Sequence, residues 1–432
     1  MESTAFEKLN KYKLLGEGLV IGAITGLLIA LFRLALVQAD KIRGVVVKLA
    51  NSSLTGALIA AAILLAIAIV VTLLLKWEPD CSGSGIPQLK GELKGYEDQV
   101  WWRVIISKFI GCALAIGGGL ALGREGPSVQ LGAMVGKGFA RTKKSLLVEE
   151  RLLMTCGAGA GLSAAFGAPL AGAIFALEEL HQSFSALILI TAMGSTAVSD
   201  FVASSILGTR PVFDFSIVTR IPLGYYWTII VLGVLLGAFG ALYNKMLDSM
   251  QNFFALFNKI WIKMLVAFAV AYVMMFVYPN ALGSGAYLVK EICYGKYALD
   301  ALAILLLVKF VFSTGSFGSG SPGGIFLPLL VLGAITGGLY SRILSATLGI
   351  EEAYITSYVV IAMAGYFAAI VRAPATGIIL ITEMTSDFSS LLGLVVVSLV
   401  AYVVADLCGG IPVYDQLMGR RLGAKKTSGD LE

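Results

Sequence analysis

Twenty-three consecutive residues, Ser53 to Leu75, carry no charge. A helix needs about 20 apolar residues to cross a bilayer, so this stretch predicts a membrane span. A second apolar run covers residues 18–39, with Arg33 inside it. Others lie at about 102–122, 152–177, 184–208, 222–244, 260–278, 299–314, 325–341, 353–371 and 373–408. Many are interrupted by Gly, Pro or a charge. That predicts more helices than full spans, some of them short or tilted.

Charged residues are scarce, at 14% of 432, against about 25% in soluble domains. Roughly three soluble domains of this total length would need a larger charged coat. The chain therefore reads as an all-α, multi-pass integral membrane protein. The longest polar gap, about residues 76–100, is too short for a soluble domain. Low polarity excludes a disordered chain. The net charge of +5 is scattered or sits at segment ends, which suits membrane topology and gives no sign of nucleic-acid binding. Lys8, Lys11 and Lys13 precede the first span, and Arg420, Arg421, Lys425 and Lys426 follow the last. The positive-inside tendency then places both termini in the cytoplasm. The first 15 residues are polar and do not form a cleavable signal peptide. Five irregularly spaced cysteines and one histidine, His181, indicate neither a disulfide framework nor a metal site.

The chain repeats itself at an offset of 200 to 205. Gly83-Ser84-Gly85 recurs as Gly283-Ser284-Gly285, and Pro127 with Gly132, Ala133 and Gly136 recurs as Pro328 with Gly333, Ala334 and Gly337. Ala160-Gly161 with Ala164-Ala165 recurs as Ala364-Gly365 with Ala368-Ala369. Ala168-Pro169, Gly172 and Glu178 recur as Ala373-Pro374, Gly377 and Glu383. The order is kept throughout, which predicts two related halves, 15–210 and 215–420. Such duplication is common in transporters.

Three glycine-rich segments break apolar runs: Gly83-Ser84-Gly85-Ile86-Pro87, Gly123-Arg124-Glu125-Gly126-Pro127, and Gly323-Gly324-Ile325-Phe326-Leu327-Pro328. Each has a proline suited to a first helical turn. Each would leave backbone N–H groups free at a positive helix end, where anions bind. Three such ends converging in the membrane would hold an anion without a full positive charge, and so let it leave again. One such segment alone is equally well a cap at a turn; three in a repeated membrane chain point to a site.

Glu125 is a carboxylate at a helix start inside an apolar stretch, where an acid is costly and usually functional. Ionised, it can occupy the anion site itself; protonated, it leaves. That couples a proton to an anion. The alternative is a static ion pair with Arg124. Glu178-Glu179 ends an apolar helix, where helix-end solvation and function weigh equally. Glu383 reads as structural and His181 as interfacial. Tyr414 alone would be an interfacial aromatic.

Together, GSGIP, GREGP, GGIFLP, the GAPLAG helix with its Glu-Glu pair, the EMT segment at Glu383 and Tyr414 resemble the CLC chloride channel/transporter family over about residues 15–420. The resemblance implies the CLC fold: two inverted-topology repeats of tilted and broken helices, in a homodimer in the cell inner (plasma) membrane. It implies chloride and protons as substrates, no cofactor and no metal. Ser84 and Tyr414 would coordinate the central anion with the amides of Ile325 and Phe326. The amides of Arg124, Glu125 and Gly126 would form an outer site, and those of Gly83 and Ser84 an inner one. Glu125 would be the gating glutamate and external proton acceptor. Glu179 would pass protons from inside.

Serine at position 84 resembles chloride-preferring members, whereas nitrate-preferring plant members carry proline there. Glu125 together with Glu179 resembles a proton-coupled antiporter, since channels of the family usually lack the second acid. Two departures stand out. Lys90 replaces an acid found in some bacterial members, which predicts rearranged salt bridges around Arg124 and the outer end of the pathway. Leu180-His181 follows the Glu-Glu pair on the expected proton route from the cytoplasm. The paired nucleotide-binding domain of eukaryotic members has no counterpart here, so the chain resembles the prokaryotic type. The rival readings are a passive CLC anion channel and a fluoride/proton antiporter. An intramembrane hydrolase would need a motif such as H-E-x-x-H, and one histidine cannot supply it, so the chain does not read as an enzyme.

Overall fold

The computed structural model describes residues 11–213, 215 and 219–428. Lys8 lies outside the described residues, as do the side chains of Lys425 and Lys426. Among the described residues there are seventeen α-helices, and eight helical stretches are long and apolar enough to cross a membrane.

The helices fall into two series of eight. The first is α1 (Lys11–Ala50), α2 (Leu54–Trp77), α3 (Ile86–Leu93), α4 (Trp101–Gly117), α5 (Glu125–Thr142), α6 (Leu147–Phe166), α7 (Pro169–Phe175) and α8 (Ala186–Leu207). The second is α9 (Tyr226–Ala255), α10 (Ile260–Val277), α11 (Ala286–Cys293), α12 (Leu299–Gly318), α13 (Phe326–Leu348), α14 (Ile355–Val371), α15 (Pro374–Thr385) and α16 (Leu391–Leu407). A last helix, α17 (Val413–Ser428), follows.

The repeat extends to the backbone breaks. Gly83 and Gly85 have φ of 60° and 88°, and Gly283 and Gly285 have 64° and 80°. Glycine meets little steric penalty there, so the same turn opens the eight-residue helices α3 and α11. The apolar stretches 152–177 and 373–408 each hold two helices. The first breaks at Gly167, where a left-handed residue ends α6, as Arg372 ends α14 at φ 68°; the second breaks at Ser386, after α15. Residues 18–39 lie inside the 40-residue α1. At 1.5 Å per residue it is about 60 Å long, so it must tilt or project beyond a hydrocarbon layer of about 30 Å.

Packing repeats as well. Within the first half α5 packs on α6, α6 on α8 and α1 on α8; within the second α13 packs on α14, α14 on α16 and α9 on α16. Across the halves, counterparts meet: α2 with α10, α7 with α15, and α5 with α13. Counterparts meet when a two-fold axis runs between them, and such an axis lying in the membrane plane gives the two repeats inverted topology. Small residues allow the closest approaches, as expected in membranes. A Cβ on Gly132 of α5 would strike the Gly157 carbonyl of α6, and a Cβ on Gly157 would strike the Gly132 carbonyl.

Candidate functional site

The three glycine-rich segments converge. Gly123 and Gly324 pair in antiparallel fashion, with N···O distances of 2.6 and 2.7 Å. This clamps the N-terminus of α5 beside that of α13. The Gly323 N–H donates to the Gly83 carbonyl at 2.9 Å, which brings in the loop before α3. Gly126 lies so close to Ser84 that a Cβ there would come within 2.8 Å of the serine Cβ. First-turn amides of a helix have no intrahelical acceptor. Positive ends from both halves therefore face one region.

Glu125 begins α5 and is fully buried. Its Oε2 accepts from the Leu327 N–H of α13 at 3.3 Å. Its Oε1 has no hydrogen-bond partner among the described residues and lies 3.9 Å from Arg124 Nε. The carboxylate thus caps the helix of the opposite half, a positive end of the kind that attracts anions. Arg124 turns away to the Ala165 carbonyl at 3.3 Å. Ile325 and Phe326 precede Leu327 on the same turn, and the Phe326 ring is packed between Phe166 and Phe367, with centroids 5.3 and 4.6 Å away.

The Ser84 hydroxyl is buried and accepts from the Ile86 N–H at 3.3 Å, which leaves its own proton to donate. Tyr414, on the first turn of α17, is also buried, and its hydroxyl has no hydrogen-bond partner among the described residues. A buried polar atom without a partner is uncommon and calls for an explanation; an anion or water fits one. The chain leading to Tyr414 is pinned. Asn244 donates to the Ile411 carbonyl at 2.9 Å, and Arg372 to that of Gly410 at 3.1 Å.

Glu178 and Glu179 lie on a π-type turn, Ala176–His181, that extends α7, and they face different ways. Glu178 accepts from the amides of Ala375 and Thr376 at 3.1 and 2.7 Å, at the start of α15. Glu383 of α15 returns the bond to Leu170 and Ala171 at the start of α7, at 3.1 and 2.8 Å. Glu179 is buried and meets Lys90 at 2.8 Å. Lys90 is buried too, and its other partner is Asp415, at 2.6 Å. The expectation that Lys90 rearranges the contacts of Arg124 is therefore wrong. α3 carries Lys90 to Glu179 and to Asp415 of α17, and Arg124 keeps its own partners. His181 shares a hydrogen bond with Thr155 at 2.8 Å.

Three residues escaped the sequence reading. Asp415 gave no signal there beyond its place next to Tyr414. Lys108 of α4 is buried without a carboxylate partner among the described residues and donates to the carbonyls of Cys81 and Gly83 at 3.0 and 2.7 Å. Lys309 of α12 donates to those of Ala281 and Gly283 at 2.8 and 2.7 Å. Buried lysines therefore stand behind the glycine loops, which the reading of a site built from helix ends alone had not included. The signal was present in the sequence, since the two lysines are 201 positions apart, within the repeat offset.

Fold and site define a class: a duplicated membrane protein whose two halves bring helix N-termini together around a buried carboxylate. Residues 64–406 match the voltage gated chloride channel family, and the chain belongs to this family, CLC. It is 34% identical over 416 residues to the H(+)/Cl(-) exchange transporter ClcA of Vibrio parahaemolyticus, covering 93% of this chain and 88% of the relative. A slow cyanobacterial Cl-/H+ antiporter of known crystal structure superposes with a TM-score of 0.90 at 30% identity, over 96% of this chain and 99% of that one. A CLC-type fluoride/proton antiporter shares the fold, with a TM-score of 0.74 at 22% identity over 92% and 96% of the two chains.

Proposed function

We propose that this protein exchanges chloride for protons across the membrane, with Glu125 as the group both ions share. The observation that carries this reading is the Glu125 carboxylate seated on the α13 N-terminus through the Leu327 N–H. An ionised carboxylate there blocks a competing anion. Protonation removes its charge, weakens its hold on the helix end and frees the place for chloride. The relatives named as H(+)/Cl(-) exchangers support the same direction.

Chloride then lies between the Ser84 and Tyr414 hydroxyls and the Ile325 and Phe326 amides. The amides of Arg124, Glu125 and Gly126 form the outer site, and those of Gly83 and Ser84 the inner one. Lys108 adds to the inner site. In a trans peptide the carbonyl and the N–H point opposite ways, so an ammonium on the Gly83 carbonyl aligns and polarises the Ser84 N–H. Glu179 supplies protons from inside, and Glu178, held by α15, stays a helix cap. No cofactor enters this cycle.

The working unit in this reading is a homodimer in the inner membrane, with repeat halves 15–210 and 215–420. Both termini are cytoplasmic. Lys13, Arg141 and Lys143, paired with Glu149, Glu150 and Glu17, sit at the end of the molecule where α1 begins, as the positive-inside tendency requires. Liposomes loaded with chloride and followed for chloride and pH together test the exchange. Chloride flux without proton movement means a passive channel. Fluoride flux without chloride flux means the fluoride antiporter.

A further inference from the structure

Glu179 needs a proton source, and its neighbours narrow the choice. Glu178 spends both carboxylate oxygens on the α15 N-terminus. His181 is turned to Thr155 of α6. On α3, Glu92 is held by Lys137 and Gln99. On α17, Arg421 pairs with Asp80 and Glu97, and Arg420 with Asp248. What faces Glu179 is Lys90, and what faces Lys90 from the other side is Asp415. The side chains of Glu179, Lys90 and Asp415 are 6%, 0% and 31% exposed. Asp415 is thus the acid of the three that reaches solvent.

We propose that Asp415 is the acid through which cytoplasmic protons enter toward Glu179, with the Lys90 ammonium as the link between the two carboxylates. This rests on the antiport reading above. A proton leaves hydronium in the cytoplasmic water and joins the ionised Asp415 carboxylate. Lys90 gives one of its protons to Glu179 Oε1 and takes the proton on Asp415. At the end Lys90 is an ammonium again and Asp415 is ionised. Glu179 holds one proton more and the water one fewer. A buried ammonium without a second carboxylate could not reset in this way. The placement also ties the two ions together, because Asp415 follows Tyr414 on the first turn of α17.

The test uses the full chain in liposomes, with chloride and proton fluxes recorded together for wild type, D415N, D415E and the control D248N. The wild type should move protons uphill. D415N should lose at least about tenfold in proton flux with chloride flux kept within about twofold, a size suited to loss of one proton-transfer group. D415E should restore coupling, and D248N should match wild type. D415S takes the place of D415N if the asparagine variant does not fold. An unchanged proton-to-chloride ratio in D415N or D415S overturns the proposal and leaves Asp415 as a first-turn helix residue. Chloride flux without protons in the wild type itself overturns the antiport reading, and the relay with it.

Discussion

Lys108 and Lys309 hold the same place in the two halves of the molecule. Each is a fully buried lysine whose Nζ donates to two backbone carbonyls of the glycine loop ahead of a short helix, at 2.7 to 3.0 Å. Only the Lys108 loop lies at the meeting point, through Gly323 and Gly126. Duplication supplied the lysine twice, and the proposed anion site draws on one copy.

Replacing Lys108 with methionine is therefore expected to weaken chloride binding about 10- to 100-fold, the range for losing a hydrogen bond to a charged group. Replacing Lys309 the same way should leave chloride affinity near wild type while lowering stability, since the Ala281 and Gly283 carbonyls lose their donor. Calorimetric titration with chloride and thermal unfolding in detergent separate the two effects. Equal losses of affinity in both variants would contradict the assignment.

Glu178 and Glu383 cap each other's helices across the two halves. Neutral glutamine at either position should cost about 1 kcal/mol, as for loss of a charged cap. The ratio of proton to chloride flux should not change. Glutamine at Glu179 should do the reverse: proton flux falls and chloride flux largely persists. Unfolding temperature and paired flux measurements on the same preparations check both halves of the statement.

Gly132 and Gly157 bring α5 and α6 into backbone contact. Valine at either position has no room and forces the helices apart. The expected cost is about 1–3 kcal/mol or more, seen as a lower unfolding temperature and a lower yield of monodisperse protein. Because α5 carries Glu125 at its start, the same variants should also disturb anion binding. Chloride titration of the surviving fraction reads this out.

Much of the architecture was legible because membrane spans and a duplicated pattern are one-dimensional signals. Charge-free runs and glycine-proline breaks located most helices, and the offset near 200 pointed to a duplicated pattern. The three glycine loops were visible for the same reason. What was not legible depends on contacts between distant residues. Nothing near Lys90 in the chain announces Glu179 and Asp415, 89 and 325 positions away. The opposite facings of Glu178 and Glu179 follow from a π-type turn, which no local pattern reveals. Lys108 was missed because a lone lysine in an apolar helix reads as an interruption, until a fold places two carbonyls around it.

The central claim is that one carboxylate, Glu125, serves both ions. Its most direct test is uphill proton movement in liposomes holding wild type or E125Q, driven by a chloride gradient at equal starting pH. Wild type should pump protons against their gradient, and E125Q should pass chloride with no proton movement. Proton pumping that survives in E125Q would contradict the account, because the coupling would then reside in another group.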